Sequence, residues 1–170
     1  MVKKITQKRL ENITLYYLQR YESSTSKLRN VLKRRVLRAK MQQAEVPDEV
    51  NEWIENIIKR MQELGYVDDK RYAQNTFRRL QNAGKSTRFI AGKLKQAGIL
   101  PDNIDGLMEE QEKSPDEMDL DAACRLVKKK KLGHFRPTHQ RQEMRQKDLA
   151  VLGRAGFSYE IACQALDKED

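Results

Sequence analysis

Two cysteines, one tryptophan, four prolines and eight glycines in 170 residues leave little material for several protein classes. Cys124 and Cys163 are too few for a disulfide framework and suit a reducing compartment. No apolar run exceeds four residues, Leu15 to Leu18 being one, against the roughly 20 that a membrane span needs. The start, Met1-Val2-Lys3-Lys4, leads into no apolar stretch, so no secretory signal is expected. Runs of Val, Ile, Thr and aromatics alternating with polar residues are also missing, which removes the strand signal. Membrane, secreted and disulfide-stapled classes are excluded, and a soluble cytoplasmic protein is expected.

Catalytic and metal signatures are just as sparse. His134 and His139 stand five apart, with Cys124 ten residues before the first, but no Cys-x-x-Cys or His-x-x-x-His pairing joins them. There is no Gly-x-Ser-x-Gly and no Cys/His arrangement suited to a nucleophile. Gly84-Lys85-Ser86-Thr87 imitates the end of a phosphate-binding loop. That loop needs glycine at position 79, where Arg79 stands, and a preceding strand where the pattern is helical. The stretch reads as a turn between helices with Ser86 capping the second. No catalytic, cofactor-binding or metal-binding residue is assigned, no cofactor is expected, and the chain is read as a non-enzyme.

What the sequence has in abundance is charge and helix signal. Charged residues make up 35%, against roughly 25% in ordinary soluble domains. The balance of 34 Lys+Arg to 25 Asp+Glu gives a formal charge of +9. Val50, Ile54, Ile57, Met61 and Leu64 fall at steps of 4, 3, 4 and 3, one apolar stripe of an amphipathic helix. Pro47, Pro101, Pro115 and Pro137 stand where helices should begin, because proline at the first helical position loses no intrahelical bond. Ser114-Pro115-Asp116-Glu117 has the form of a capping box. Leu64-Gly65-Tyr66, Ala97-Gly98-Ile99 and Ala155-Gly156-Phe157 each predict a helix stop: a left-handed glycine, then an apolar residue folding back.

These stops repeat. At a spacing of 62, Leu10, Thr14, Leu15, Leu18, Leu28 and Leu32 meet Tyr72, Thr76, Phe77, Leu80, Ile90 and Leu94. At a spacing of 58, Leu94, Gly98, Ile104, Leu107 and Met108 meet Leu152, Gly156, Ala162, Ala165 and Leu166. The spacings predict an all-α protein of three tandem three-helix repeats. Repeat one covers residues 1–66, with an N-terminal arm and an insertion near 38–47; repeat two covers 67–113 and repeat three 114–170. The expected helices are 8–21, 25–40 and 48–64; 69–82, 86–97 and 101–112; 115–131, 137–155 and 158–168. Leu28, Leu32, Ile54, Ile57, Phe77, Ile90, Leu94, Leu152 and Ile161 are expected in the core, with Trp53 beside it.

Charge follows the same period. Residues 71–98 carry seven basic and no acidic side chains, whereas 99–121 carry one basic and nine acidic. The first two helices of each repeat are basic and the third is acidic. Lys33, Arg34, Arg35 and Arg38, then Arg78, Arg79, Arg88, Lys93 and Lys95, then Lys128, Lys129, Lys130 and Lys131 recur in corresponding slots. Any one such run is usually a solvated face. Recurrence in three repeats, with acid excluded from 71–98, points to a surface for an anionic partner. Nucleic acid and an acidic protein groove both satisfy that requirement.

The stretch Leu64-Gly65-Tyr66-Val67-Asp68-Asp69-Lys70-Arg71-Tyr72-Ala73 resembles the RecX family. The basic helix ending Ala97-Gly98-Ile99 and the element Arg154-Ala155-Gly156-Phe157-Ser158-Tyr159-Glu160-Ile161 follow in the family's order. The resemblance extends over about residues 10–168 and implies three three-helix repeats in a curved, elongated row. It also implies a regulator, not a catalyst: a monomer that lodges in the groove of the RecA–DNA filament. Such a protein restrains recombinase, ATPase and co-protease activity, and so damps recombination, DNA repair and the SOS response. Single- or double-stranded DNA is a further expected contact. The insertion after Arg38 and the lack of a glycine stop on the second helix depart from the pattern. A direct DNA-binding helical protein with no RecA contact remains the alternative.

Overall fold

A computed structural model describes residues 4–168. The beginning of the expected N-terminal arm, residues 1–3, and the end of the third repeat, 169–170, lie outside the described residues. Among the described residues there are helices and one short 3-10 turn but no strand. The helices are α1 (Gln7–Leu18), α2 (Thr25–Met41), α3 (Val50–Glu63), α4 (Asp69–Asn82), α5 (Thr87–Gln96), α6 (Pro101–Glu109), α7 (Pro115–Lys130), α8 (Thr138–Ala155) and α9 (Tyr159–Asp167). Their number and order follow the stops and caps read from the sequence.

Local chemistry sets most of these ends. Ser114 accepts from the Glu117 N–H while the Glu117 carboxylate accepts from Ser114, closing the capping box at the start of α7. Thr6, Ser24, Ser86 and Ser158 accept from an N–H three residues on, at the starts of α1, α2, α5 and α9. Pro101 and Pro115 open α6 and α7, and Pro137 caps α8. Pro47 behaves differently: a turn separates it from α3, which starts at Val50, two residues later than expected. Within the expected insertion the chain turns at a left-handed Gln43, φ 57°, the role that Gly65, Gly98 and Gly156 serve at the three glycine stops. The second helix therefore runs to Met41 before it breaks.

Gly65, Gly98 and Gly156 take left-handed φ values of 72°, 77° and 100°. Ile99 and Phe157 fold back and are buried, as expected. At Gly65 the expectation needs correcting: Tyr66 is exposed and Val67 is the buried residue. The amides of both Tyr66 and Val67 donate to the Met61 carbonyl, so the turn closes over one residue more.

The described residues divide into two compact units. One runs to Tyr72 and takes in Ala97–Ile99; the other comprises Ala73–Gln96 and the chain from Leu100 on. The core of the first is built from Leu10, Leu28, Leu32, Ile54, Ile57 and Ile58, with Trp53 packed half-buried against it. The second has its own core around Ala123, Val127, Leu152, Phe157 and Leu166. Of the expected core residues, Ile161 is only half-buried at the rim of that second core, because Ala162, Ala165 and Leu166 take the inward face of α9.

The period of 62 survives in burial at four of its pairs. Leu10 and Tyr72, Thr14 and Thr76, Leu28 and Ile90, and Leu32 and Leu94 are buried together. Leu15 breaks it, at 41% exposure against 4% for Phe77. The two units also contain the same joint. In the first, the Ser24 hydroxyl donates to the Ala97 carbonyl, Asp69 accepts from the Thr25 N–H at 2.7 Å, and Gly98 lies against Ser26. In the second, the Ser86 N–H donates to the Ala155 carbonyl, Asp119 accepts from the Thr87 N–H at 2.7 Å, and Gly156 lies against Ser86 and Phe89. Each joint brings the glycine stop of one helix onto the capped start of another, as tandem repetition requires.

Candidate functional site

All thirteen cations expected at the site are exposed. The structure gathers one group on α2. This helix carries seven Lys and Arg and no carboxylate, and buries Leu28, Leu32, Val36 and Ala39. Arg29 at its flank is neutralised by Glu55, through bonds of 2.7 and 2.8 Å, and Lys27 donates to the Tyr72 hydroxyl. The Arg29 hydrogen bonds hold the Glu55 carboxyl below its ordinary range, with smaller contributions from the charges of Arg29 and Lys33. Lys33, Arg34, Arg35 and Arg38 form no ion pair among the described residues. Arg34 instead donates to the Asn30 carbonyl and takes part in two adjoining hollows. Four cations packed within six positions, with no ion pair among the described residues, repel one another, and an anion at this face relieves that repulsion.

In the second unit the cations are spread out. Arg88, Lys93 and Lys95 are on α5. Phe89, half-buried, lies between Lys85 and Lys93, whose ammonium groups stand 4.8 and 5.6 Å from its ring centre. Arg78 on α4 shares a hollow with Glu110, just past α6, so the absence of acid from 71–98 does not isolate Arg78 from carboxylates elsewhere. Lys128 to Lys131 sit at the C-terminal end of α7, where the helix dipole itself favours positive charge. That position alone is enough to account for basic residues in the run.

Sequence reasoning missed several features of these surfaces. Leu37 and Met41 on α2 are 57% and 78% exposed, Leu37 between buried Val36 and cationic Arg38 and Met41 just after Lys40. The signal was available: both are out of phase with Leu28, Leu32, Val36 and Ala39. At the end of α1 and just past it, the Arg20 guanidinium stacks 4.1 Å from the exposed Tyr16 ring, and Tyr17 and Tyr21 pair at 5.2 Å. Asp148, 1% exposed, accepts two bonds from Arg136 and one from the Gly133 N–H. Burial pushes its carboxyl up, but these bonds and the Arg136 charge outweigh burial and hold it below the ordinary value. Beside it, both ring nitrogens of His134 are buried without a hydrogen-bond partner.

Among the described residues no three His, Cys, Asp or Glu side chains gather as a metal site. No described helix is long and apolar enough to cross a membrane. The arrangement presents exposed cations on α2, on α4, on α5 and at the end of α7.

No protein-family model matches the chain. A curated relative from Myxococcus xanthus, named Regulatory protein RecX, is 36% identical over 97% of this chain and 88% of its own length. Two crystal structures share the fold. One, of a regulatory protein RecX, gives a TM-score of 0.62 at 23% identity, covering 95% of this chain and 72% of that one. The other, of RecX from Lactobacillus salivarius, gives 0.60 at 18% identity, covering 95% and 96%.

Proposed function

The chain belongs to the RecX family of regulatory proteins, and from that premise we propose that it binds the RecA–DNA filament in its groove and inhibits RecA. It acts as a non-enzymatic, cytoplasmic monomer built of three three-helix repeats, 1–66, 67–113 and 114–170. By restraining ATP hydrolysis, strand exchange and co-protease activity it damps recombination, DNA repair and the SOS response. The observation that supports this beyond family membership is α2, whose Lys33, Arg34, Arg35 and Arg38 lie exposed and make no ion pair among the described residues. The second unit has exposed cations of its own at Arg78, Arg79, Arg88, Lys93, Lys95 and Lys128 to Lys131. Exposed cations such as those on α2 suit an acidic groove or phosphates.

RecA ATPase on single-stranded DNA, titrated with this protein, tests the reading. Inhibition well below one protein per RecA is the expected result. Inhibition only at amounts that saturate the DNA favours the second reading, direct DNA binding by the cationic helices without a RecA contact. Replacing Arg88, Lys93 and Lys95 together by Glu should abolish inhibition while leaving helicity and the melting midpoint unchanged, because exposed charges contribute little to folding. Replacing Glu109, Glu110 and Glu112 by Lys should do much less.

A further inference from the structure

The outer face of α2 is not uniformly cationic. At about 100° per residue, Leu28, Leu32, Val36 and Ala39 define one side of the helix. Leu37 and Met41 fall almost opposite, one turn apart, so the helix has a second apolar line pointing to solvent. Lys33 and Lys40 border that line on one side, Arg34 and Arg38 on the other. Two hollows adjoin it: Leu37 lines one together with Lys33 and Arg34, and Val31 lines the other together with Arg34, Arg35 and Arg38. Arg29, which lies outside this border, is the cation that already has a carboxylate partner.

We propose that this face is a docking site for an acidic protein segment carrying apolar side chains at helical spacing, which set against Leu37 and Met41 while its carboxylates meet the bordering Lys and Arg. This rests on the reading of the chain as a regulator that binds a protein, and deepens it by stating the chemistry of the partner surface. Charge decides the sign of the occupant, since α2 carries no acidic residue and its border cations make no ion pair among the described residues. The apolar line decides its class. Phosphates gain nothing from Leu and Met, so a nucleic-acid backbone laid along α2 leaves both exposed or desolvates cations around them without return. An amphipathic acidic segment removes both apolar side chains from water and makes bidentate Arg–carboxylate bonds at the edges. A lipid surface is less suitable, because two side chains are a small apolar payload once the opposite face is committed to the core.

The test uses the full chain and a labelled synthetic helix of about sixteen residues, Glu-rich, with Leu at one face; its twin has Ala for each Leu. Fluorescence anisotropy at ~0.15 M salt should show the Leu helix binding on the order of tenfold more tightly than the Ala twin. Leu37→Ser with Met41→Ser should erase that margin and leave the weaker Ala-twin binding in place. Arg34→Glu with Arg38→Glu should weaken both helices. Circular dichroism checks that each variant keeps its helicity, and Leu37→Gln alone provides a milder variant that should halve the margin or more. Equal binding of the two helices overturns the inference, as does a margin that survives the Ser variant. Preferential binding of an oligo-dT strand along α2, lost in the Glu variant and indifferent to the Ser variant, overturns it in favour of nucleic acid. Binding to anionic phospholipid vesicles that the Ser variant loses, without a Leu-helix margin, overturns it in favour of a lipid surface. RecA ATPase run in parallel separates the two readings. A Leu-helix margin in a protein that leaves RecA unaffected supports the docking face and removes the RecA reading. No margin in a protein that inhibits RecA removes the docking face alone.

Discussion

The joint at Ser24, Asp69 and Gly98 and the joint at Ser86, Asp119 and Gly156 use the same residue types for the same task, but not the same atoms. In the first, the last-turn carbonyl of Ala97 is satisfied by a side chain, the Ser24 hydroxyl. In the second, the equivalent carbonyl of Ala155 is satisfied by the main-chain N–H of Ser86. Asp69 takes both the N–H and the hydroxyl of Thr25 at 2.7 Å, from the first turn of α4. Asp119 reaches Thr87 from the second turn of α7, and burial pushes its carboxyl above the ordinary value despite the Thr87 bonds. What the two joints share is a satisfied carbonyl, a capped helix start and room for a glycine. Which donor meets the carbonyl is free to change, because a buried acceptor needs one partner and is indifferent to whether it comes from backbone or side chain.

Glycine should give the largest effect in both joints. A Cβ on Gly98 would stand 2.2 Å from the Ser26 Cβ, and one on Gly156 would stand 2.3 Å from the Ser86 Oγ and 2.8 Å from the Phe89 Cβ. Gly98→Val and Gly156→Val should each cost about 3 kcal/mol, from left-handed backbone strain plus overpacking, read from the urea midpoint. Gly65→Ala is the control, since its φ of 72° is equally left-handed but nothing lies within 4 Å. It should cost only about 1 kcal/mol. Equal losses at all three glycines would show that backbone strain alone matters and that the close approach does not.

Serine should separate the joints. Ser24→Ala removes the cap on the Lys27 N–H and leaves the Ala97 carbonyl without its donor, a loss of about 2 kcal/mol. Ser86→Ala removes the cap on the Phe89 N–H but keeps the backbone bond to Ala155, a loss of about 1 kcal/mol. A reversed order in thermal melts would mean that the hydroxyl and main-chain donors are not doing equivalent work.

The smallest difference should be one of pH. The Asp119 carboxyl is raised in the folded chain, so the native state holds its proton more tightly than the unfolded chain does. Its contribution to stability therefore falls as pH rises from about 4 through the folded value. Asp119→Asn should flatten that decline, whereas Asp148, held low, acts with the opposite sign and loses stability as pH falls through its folded value. Melting midpoints between about pH 3 and 7 for both Asn variants check the two signs.

Helix starts and stops were legible from the sequence because they are made within four residues. Ser114 with Glu117, the Ser86 cap and the glycines at 65, 98 and 156 all depend on neighbours in the chain. The errors fell where the partner is distant or the phase ambiguous. Leu15 and Phe77 match in sequence and differ in burial; Val67 replaces Tyr66 as the residue that folds back; Ile161 loses the inner face of α9 to two alanines and a leucine. The thirteen cations expected at the site are all exposed, yet composition does not distinguish the α2 group, whose Lys33, Arg34, Arg35 and Arg38 make no ion pair among the described residues, from the run at 128–131, which has a helix dipole behind it. Leu37 and Met41 lie out of phase with the buried stripe of α2, and only packing on the opposite face shows that they remain exposed.

By itself the sequence determined an all-helical chain, its punctuation, its period and its family, since capping, proline placement and glycine stops are short-range and repeat visibly. Only the tertiary structure decided that Asp69 and Asp119 close joints 44 and 32 residues back along the chain. It also decided that Asp148 is buried under Arg136, and that one side of α2 is left with two apolar side chains among unpaired cations. Those outcomes depend on which surfaces meet across the core, and that is set by packing between segments distant in the chain.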